Sequence, residues 1–311
     1  MRWLNYIHRN IKALAMPTAM VVGALLCRPI TALEVLSHQM ITPTLIFLML
    51  FVTFCRVKPR QMHLSMLHFW LLLFQIVVCI GVYFALLPLN DVVAQGAMIC
   101  VLAPVAMAAV VVGGMLGANV ATMATYSLLC NIVIALVAPV ILSFVGTGAC
   151  TFAQILARIA PLLIMPFAAA QGCRFLIPKA AQWVSDHGQI SFYMWLLSLM
   201  VIIGRTTAFI FDLRDASFST ELWLAVAAAV ICLVQFKVGR MLGRRFGDAT
   251  AGGQLLGQKN TVLAVWMAQS FLNPISSIAP TAYIIWQNFV NSYQLWKQDK
   301  QGRKKVAINR L

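Results

Sequence analysis

Charge is scarce in this 311-residue chain: Lys, Arg, Asp and Glu make up 10% of it, against about 25% in an ordinary soluble domain. Acidic residues are the rarest of these, eight in all. That poverty of charge excludes a water-soluble enzyme. The eight cysteines show no Cys-x-x-Cys spacing, which excludes ribbon-type zinc sites and dithiol redox motifs; nearly all lie in or beside apolar runs and read as small buried hydrophobes. There is no Gly-x-Ser-x-Gly, no His-Glu-x-x-His and no phosphate-binding loop. The five histidines lie mostly in or beside loops, so hydrolytic and ATP-driven chemistry lacks its residues and the chain does not read as an enzyme. The N-terminus has a basic start and an apolar stretch, but Leu25-Leu26-Cys27 lacks the small residues of a cleavage site and reads as part of a retained first span.

What is abundant is apolar sequence, 61% of the chain. At about 20 apolar residues per crossing, this length holds about ten spans and no sizeable extramembrane domain. The runs fall at 11–29, 40–55, 66–88, 93–115, 119–145, 154–177, 190–210, 220–239, 249–271 and 275–296. They are too long and too unalternating for barrel strands, and lipid satisfies no free backbone group, so the expected fold is an all-α polytopic membrane protein of ten transmembrane helices.

The net charge of +15 sorts by side. With the N-terminus inside, that segment, 56–64, 174–189, 237–248 and the tail from Lys297 hold eighteen of the 23 basic residues and three of the acidic ones. The opposite side holds Arg28, Arg158, Arg205 and Arg214 against Glu34, Asp91, Asp212, Asp215 and Glu221. Both termini are therefore expected to be cytoplasmic, in a multi-pass protein of the cell (inner) membrane, and the basic tail is a topology and lipid-surface signal rather than a nucleic-acid arm. Of the 23 basic residues, Lys259, in the run 249–271, is the one assigned to neither side.

Ten spans with both ends inside permit two halves of five, which must enter the membrane in opposite directions: a 5+5 inverted repeat, the plan of many secondary transporters. The expected division is 1–145, 146–296 and a tail 297–311. An internal echo supports it. The fourth run ends Gly113-Gly114-Met115-Leu116-Gly117-Ala118-Asn119, and the ninth reads Gly252-Gly253-Gln254-Leu255-Leu256-Gly257-Gln258-Lys259-Asn260. Gly113, Gly114, Gly117, Gly252, Gly253 and Gly257 are expected to break these two helices, and Asn119, Gln258, Lys259, Asn260 and Thr261 to build a site there. Small-residue helix packing is the competing reading of the glycines. Apart from Glu221 at the edge of its run, no predicted span holds a carboxylate to pair with Lys259, so its partners must be amides, carbonyls or a bound anion. Gln75, Asn131, Gln269, Gln287, Asn288 and Asn291 are further polar groups within spans.

The stretch Gly257-Gln258-Lys259-Asn260-Thr261-Val262-Leu263-Ala264, with Phe271-Leu272-Asn273-Pro274 and Trp286-Gln287-Asn288, resembles the ninth and tenth spans of the bile acid:sodium symporter family. The segment from Pro104 to Asn119-Val120 resembles that family's fourth span, and the likeness is to a divergent bacterial-type member. It implies that the broken fourth and ninth helices cross in a core of spans 3–5 and 8–10, beside a panel of spans 1, 2, 6 and 7. It also implies alternating-access transport of an organic anion. Asn119, Gly257 and Asn260 keep the family residues, and Gln75 matches a third-span Gln. The family's sodium-site Glu falls on Leu255, or on Gln254 with a one-residue insertion, its Gln falls on Lys259, its fourth-span Ser on Ala118, and its fifth-span hydroxyls near Ile132 and Leu136. A site that has lost its carboxylate and gained an ammonium is a degraded sodium site, so no metal, cofactor or assured sodium is expected. The expected partners are a small organic anion and the bilayer, with no nucleic acid, in a monomer or weak homo-oligomer. A sodium-coupled symporter with a rearranged site, and a non-transporting membrane receptor of the same fold, stand as alternatives.

Overall fold

In a computed structural model the structure describes residues 18–56, 62–146, 151–187, 189–212 and 218–308. Arg2, Arg9, Lys12, Lys58, Arg60, Cys150, Arg214, Asp215 and Arg310, counted above for topology or composition, lie outside the described residues. Among the described residues the regular structure is helical: α1 Thr18–Leu25, α2 Cys27–Leu36, α3 Ile41–Arg56, α4 Met66–Leu86, α5 Asp91–Leu102, α6 Met107–Met115, α7 Val120–Val145, α8 Phe152–Leu176, α9 Pro178–Asp186, α10 Gln189–Asp212, α11 Phe218–Arg245, α12 Ala249–Gly257, α13 Thr261–Phe271 and α14 Ile278–Ile308. Four helices are long and apolar enough to cross a membrane, α4, α7, α8 and α11, and a fifth crossing is available if α1 and α2 count together. They mark a membrane-inserted protein. Outward-facing Phe69, Val77, Phe84, Phe144, Val230 and Leu233 are the apolar surface that lipid requires.

The chain divides into two compact units. The first, Met1–Val57 with Ala153–Ser217, contains α1–α3 and most of α8–α10. Its first helix does not stop at residue 29, as the run of apolar residues predicts; it bends by 75° between α1 and α2 and continues to Leu36. Helices α1 and α10 meet through small residues: a Cβ on Gly23 would stand 2.4 Å from the Met200 carbonyl oxygen, and one on Gly204 would stand 3.0 Å from the Gly23 carbonyl oxygen. The continuation corrects a second expectation. Glu34, placed in a loop by the sequence reading, is buried on α2 and pairs with Arg205 of α10 at 3.3 Å, so an apolar helix pair does carry a carboxylate. The pair is tolerated there because each charge neutralises the other.

The second unit, Lys58–Phe152 with Phe218–Leu311, contains α4–α7 and α11–α14. Its interior is two segments buried on every side, 93–106 and 251–268. Helix α11 packs onto α12 with almost no intervening side chain: a Cβ on Gly252 would lie 2.2 Å from the Gly239 carbonyl oxygen, and one on Gly243 would lie 2.3 Å from that of Asp248. Gln95 on α5 fixes the other end of the unit, its Nε2 donating to Asp91 Oδ2 at 2.8 Å and its Oε1 accepting from the Asn273 N–H at 2.8 Å.

Gly252→Ala forces these backbones apart and is expected to destabilise the protein by about 1–3 kcal/mol. Gly81→Ala meets nothing within 4 Å on α4 and is expected to be neutral, or stabilising by up to about 1 kcal/mol through helix propensity. Thermal unfolding of the two purified variants in detergent measures both.

Candidate functional site

Helix α5 ends where Ala103 turns extended (φ −49°, ψ 136°) ahead of Pro104, the conformation that a residue before proline prefers. Pro104 has no N–H to continue the helical ladder, and the chain restarts as α6 only at Met107. The second interruption runs through Gln258, Lys259 and Asn260. Asn260 (φ −74°, ψ 80°) makes a tight turn in which the Thr261 N–H donates to the Lys259 carbonyl at 2.9 Å, and its side chain caps α13 by accepting from the Leu263 N–H at 3.2 Å.

The two interruptions satisfy each other. Val105 and Lys259 form an isolated antiparallel bridge. The Ala106 N–H donates to the Gln258 carbonyl at 2.9 Å, and the Asn260 N–H donates to the Pro104 carbonyl at 2.8 Å. Side chains from four surrounding helices serve the remaining groups. Gln75 Nε2 of α4 donates to the carbonyls of Leu102 and Ala103, both at 3.0 Å. Its Oε1 accepts from Tyr126 Oη at 3.4 Å and Cys130 Sγ at 3.7 Å, both on α7. On α14, Tyr283 Oη donates to the Gly257 carbonyl at 2.7 Å, and Gln287 Oε1 accepts from the Lys259 N–H at 3.0 Å. Gln235 Nε2 of α11 donates to Tyr283 Oη at 3.1 Å. The carbonyl ends of α5 and α12 and the amide ends of α6 and α13 thus meet at one place, two negative and two positive helix termini.

Lys259 lies in the middle of this arrangement, 1% exposed. Its Nζ has no hydrogen-bond partner among the described residues, and its electrostatic neighbours are the thiols of Cys79, Cys100 and Cys130. Gln258 Oε1 and Gln235 Oε1 are likewise buried without a partner. The site therefore holds spare donors and spare acceptors within a frame of saturated backbone, which suits the binding of a small charged group.

Of the residues predicted from sequence, Gln75, Gln258, Lys259, Asn260 and Thr261 belong to the crossover, and all are buried. Asn119 does not. It caps α7, its Oδ1 accepting from the Thr122 N–H at 3.1 Å, while its own N–H donates to Asp248 Oδ2 at 2.7 Å. Asp248 Oδ1 also accepts from the Ala251 N–H at 2.7 Å at the start of α12, so Asn119 stands one helix length, about 13 Å, from the crossover. Asn288 turns back on its own helix, donating to the Ile284 carbonyl at 2.7 Å.

The glycines need correcting as well. Gly113 and Gly114 lie within α6, Gly252 and Gly253 within α12, and Gly117 (φ 79°) is in the turn after α6; only Gly257, the last residue of α12, adjoins an interruption. Gly117 has open space around it and answers a positive φ; the others act by close packing: a Cβ on Gly113 would sit 2.3 Å from Met123 Sδ, and one on Gly257 2.3 Å from the Phe236 ring. Pro104 and Gln287 stand out in the sequence without a role at the site, and Tyr283 and Gln235 give no sign there of belonging to it. A signal existed for three positions on α14: Tyr283, Gln287 and Asn291 recur every four residues and so share a helix face.

Compared with protein-family models the chain matches none, and a search of curated proteins finds no match either.

Gln75→Leu leaves the Leu102 and Ala103 carbonyls buried without their donor and is expected to cost about 1–3 kcal/mol for each group left unpaired. Hydrogen exchange followed by mass spectrometry should show faster exchange at 103–107 and 258–261 together, because the two interruptions rely on each other.

Proposed function

We propose that this protein is a secondary carrier of a small organic anion, bile acid-like or another carboxylate or sulfated solute, related to the bile acid:sodium symporters and working by alternating access without a sodium requirement. The observation that carries this reading is the crossover: two interrupted helices whose freed backbone groups pair with each other around a buried lysine. Helix interruptions at membrane depth are how secondary transporters expose helix termini to a solute.

The reading takes α1–α2, α3, α4, α5–α6 and α7 as the first five spans and α8, α10, α11, α12–α13 and α14 as the second five. The interrupted helices then hold the same ordinal place in each half of an inverted repeat. The grouping of α4–α7 with α11–α14 in one compact unit, and of α1–α3 with α8–α10 in the other, supports a core and a panel. The bias of basic residues supports cytoplasmic termini in an inner membrane.

Sodium independence follows from the residues at the crossover. Leu255, where the family has its sodium-site carboxylate, is buried and apolar. Gln254, the alternative, donates to Asn291 Oδ1 at 3.0 Å and Gln294 Oε1 at 3.2 Å. Leu136 is exposed on the outer face of α7. Two unit positive charges about 4 Å apart repel by about 4 kcal/mol at an effective dielectric of about 20, roughly a thousandfold in affinity. The Lys259 ammonium takes the place of the ion and leaves a positive site for an anion.

Proteoliposome flux of a panel of labelled anions, among them taurocholate, pantoate and a sulfate conjugate, tests the reading. At least one is expected to move equally well in sodium and in choline, and a steep sodium requirement overturns the reading. Lys259→Gln, with the fold intact, is expected to lower sodium-free flux about tenfold or more. A variant that keeps full sodium-free flux removes Lys259 from the mechanism, and binding without flux favours a receptor.

A further inference from the structure

The outer face of α11 is apolar along most of its length and ends in cations. Val226, Val230 and Leu233, spaced by three or four residues, share one exposed face. Lys237, Arg240 and Arg244 continue the same spacing, so the stripe turns basic without leaving that face. Lys237 and Arg244 are exposed. Arg240 is half-buried because its stem lies along α12, where a Cβ on Gly253 would stand 2.4 Å from Arg240 Cγ. Among the described residues none of the three side chains has a hydrogen bond or an ion pair. The nearest carboxylate in sequence, Asp248, already accepts from the Asn119 and Ala251 N–H groups, each at 2.7 Å.

Position along the helix sets the depth of this change. Trp223, exposed near the start of α11, is a ring of the kind that sits at the membrane boundary. Lys237 stands about 21 Å further along the axis and Arg244 about 32 Å. With a hydrocarbon core about 30 Å thick, and a lysine stem that extends toward water, the cations reach the headgroup layer at the C-terminal end of the helix. The helix dipole does not account for them. It favours cations within the last turn, and Lys237 and Arg240 both lie more than a turn before Arg245.

We propose that this stripe binds one anionic phospholipid, with its acyl chains along Val226, Val230 and Leu233 and its phosphate among Lys237, Arg240 and Arg244. The occupant is an amphiphile because the surface is apolar over one half and cationic over the other; neither a nucleic acid nor an acidic peptide covers the apolar half. Its headgroup carries net negative charge. A phosphatidylcholine headgroup brings its own ammonium to three cations that have no acid among them, and that ammonium is repelled. A phosphatidylglycerol-type phosphodiester brings a charge of −1 alone, and the planar guanidinium groups of Arg240 and Arg244 suit its oxygens. Arg240 is the preorganised member, its stem held against α12 before a lipid arrives. The inference requires only that α11 crosses a membrane and does not rest on the carrier reading.

Native mass spectrometry of the full-length protein in detergent, titrated with phosphatidylglycerol, phosphatidylcholine or glycerol 3-phosphate, supplies the test. The first phosphatidylglycerol is expected to bind about tenfold tighter than phosphatidylcholine, and millimolar glycerol 3-phosphate is expected not to displace it. Basic residues near a bilayer surface contribute about fivefold each in affinity. Arg244→Gln is therefore expected to weaken the first phosphatidylglycerol about fivefold, and Lys237→Gln combined with it about 25-fold. Arg245→Gln removes the same charge one position on, about 100° around the helix, and is expected to leave the affinity within about twofold. Thermal unfolding in the same detergent gives a second reading: phosphatidylglycerol raises the midpoint of the wild type and not that of the double variant. Equal binding of the two lipids, an equal loss in Arg244→Gln and Arg245→Gln, or displacement by glycerol 3-phosphate overturns the proposal.

Discussion

The second unit depends on one constraint: backbone groups freed by a helix interruption inside a membrane must find partners in the protein. A lone break after Leu102 would strand the Ala106 N–H and the Pro104 carbonyl; a lone break at Lys259 would strand the Gln258 carbonyl and the Asn260 N–H. Joined, each supplies what the other lacks. Their mutual dependence explains why α5 and α12–α13 lie at the centre, buried on every side, and why the helices around them bring amides and a phenol. Gln75, Gln235, Tyr283 and Gln287 are polar groups on otherwise apolar helices, and each of them contributes to the crossover bonding.

Apolar patterning reveals helices better than it reveals their interruptions. The runs 66–88 and 119–145 become Met66–Leu86 and Val120–Val145, since burial in lipid and helix formation are the same requirement in a chain that cannot leave backbone unpaired. The interruptions leave no such trace, because Ala103-Pro104-Val105-Ala106 is as apolar as the helices it separates. Proline is common in membrane helices, and a glycine pair serves close packing as readily as unwinding, so composition points to Gly113 and Gly252 while the missing N–H of Pro104 makes the break. At Lys259 a lysine at membrane depth is costly enough to mark itself. Gln287 and Asn288 are adjacent in sequence but about 100° apart around α14, and only the phase of the helix decides which of them reaches the Lys259 N–H.

The first unit misled the sequence reading through its charge. Arg28 and Glu34 look like the edge of a loop, yet α2 carries both beyond a bend of 75°. A carboxylate survives there because Arg205, on a helix brought close by Gly23 and Gly204, stands 3.3 Å from it. Neither charge is recognisable as half of a pair from sequence, since 171 positions separate them.

The two sites treat buried charge in opposite ways, and the difference bears on function. At Glu34 the negative charge has its counter-charge beside it, so the net charge enclosed is close to zero and the cost of burial is shared. At Lys259 no carboxylate among the described residues answers the ammonium, and the two helix carbonyl ends that meet there are matched by the two amide ends of α6 and α13. None of the N–H donors on its Nζ has a partner among the described residues. A fold selected for stability alone gains nothing by keeping a fully buried cation with three unused donors. On the carrier reading proposed above, the lysine is the fixed charge that a negative group meets where the two interrupted helices join, in place of a diffusible ion.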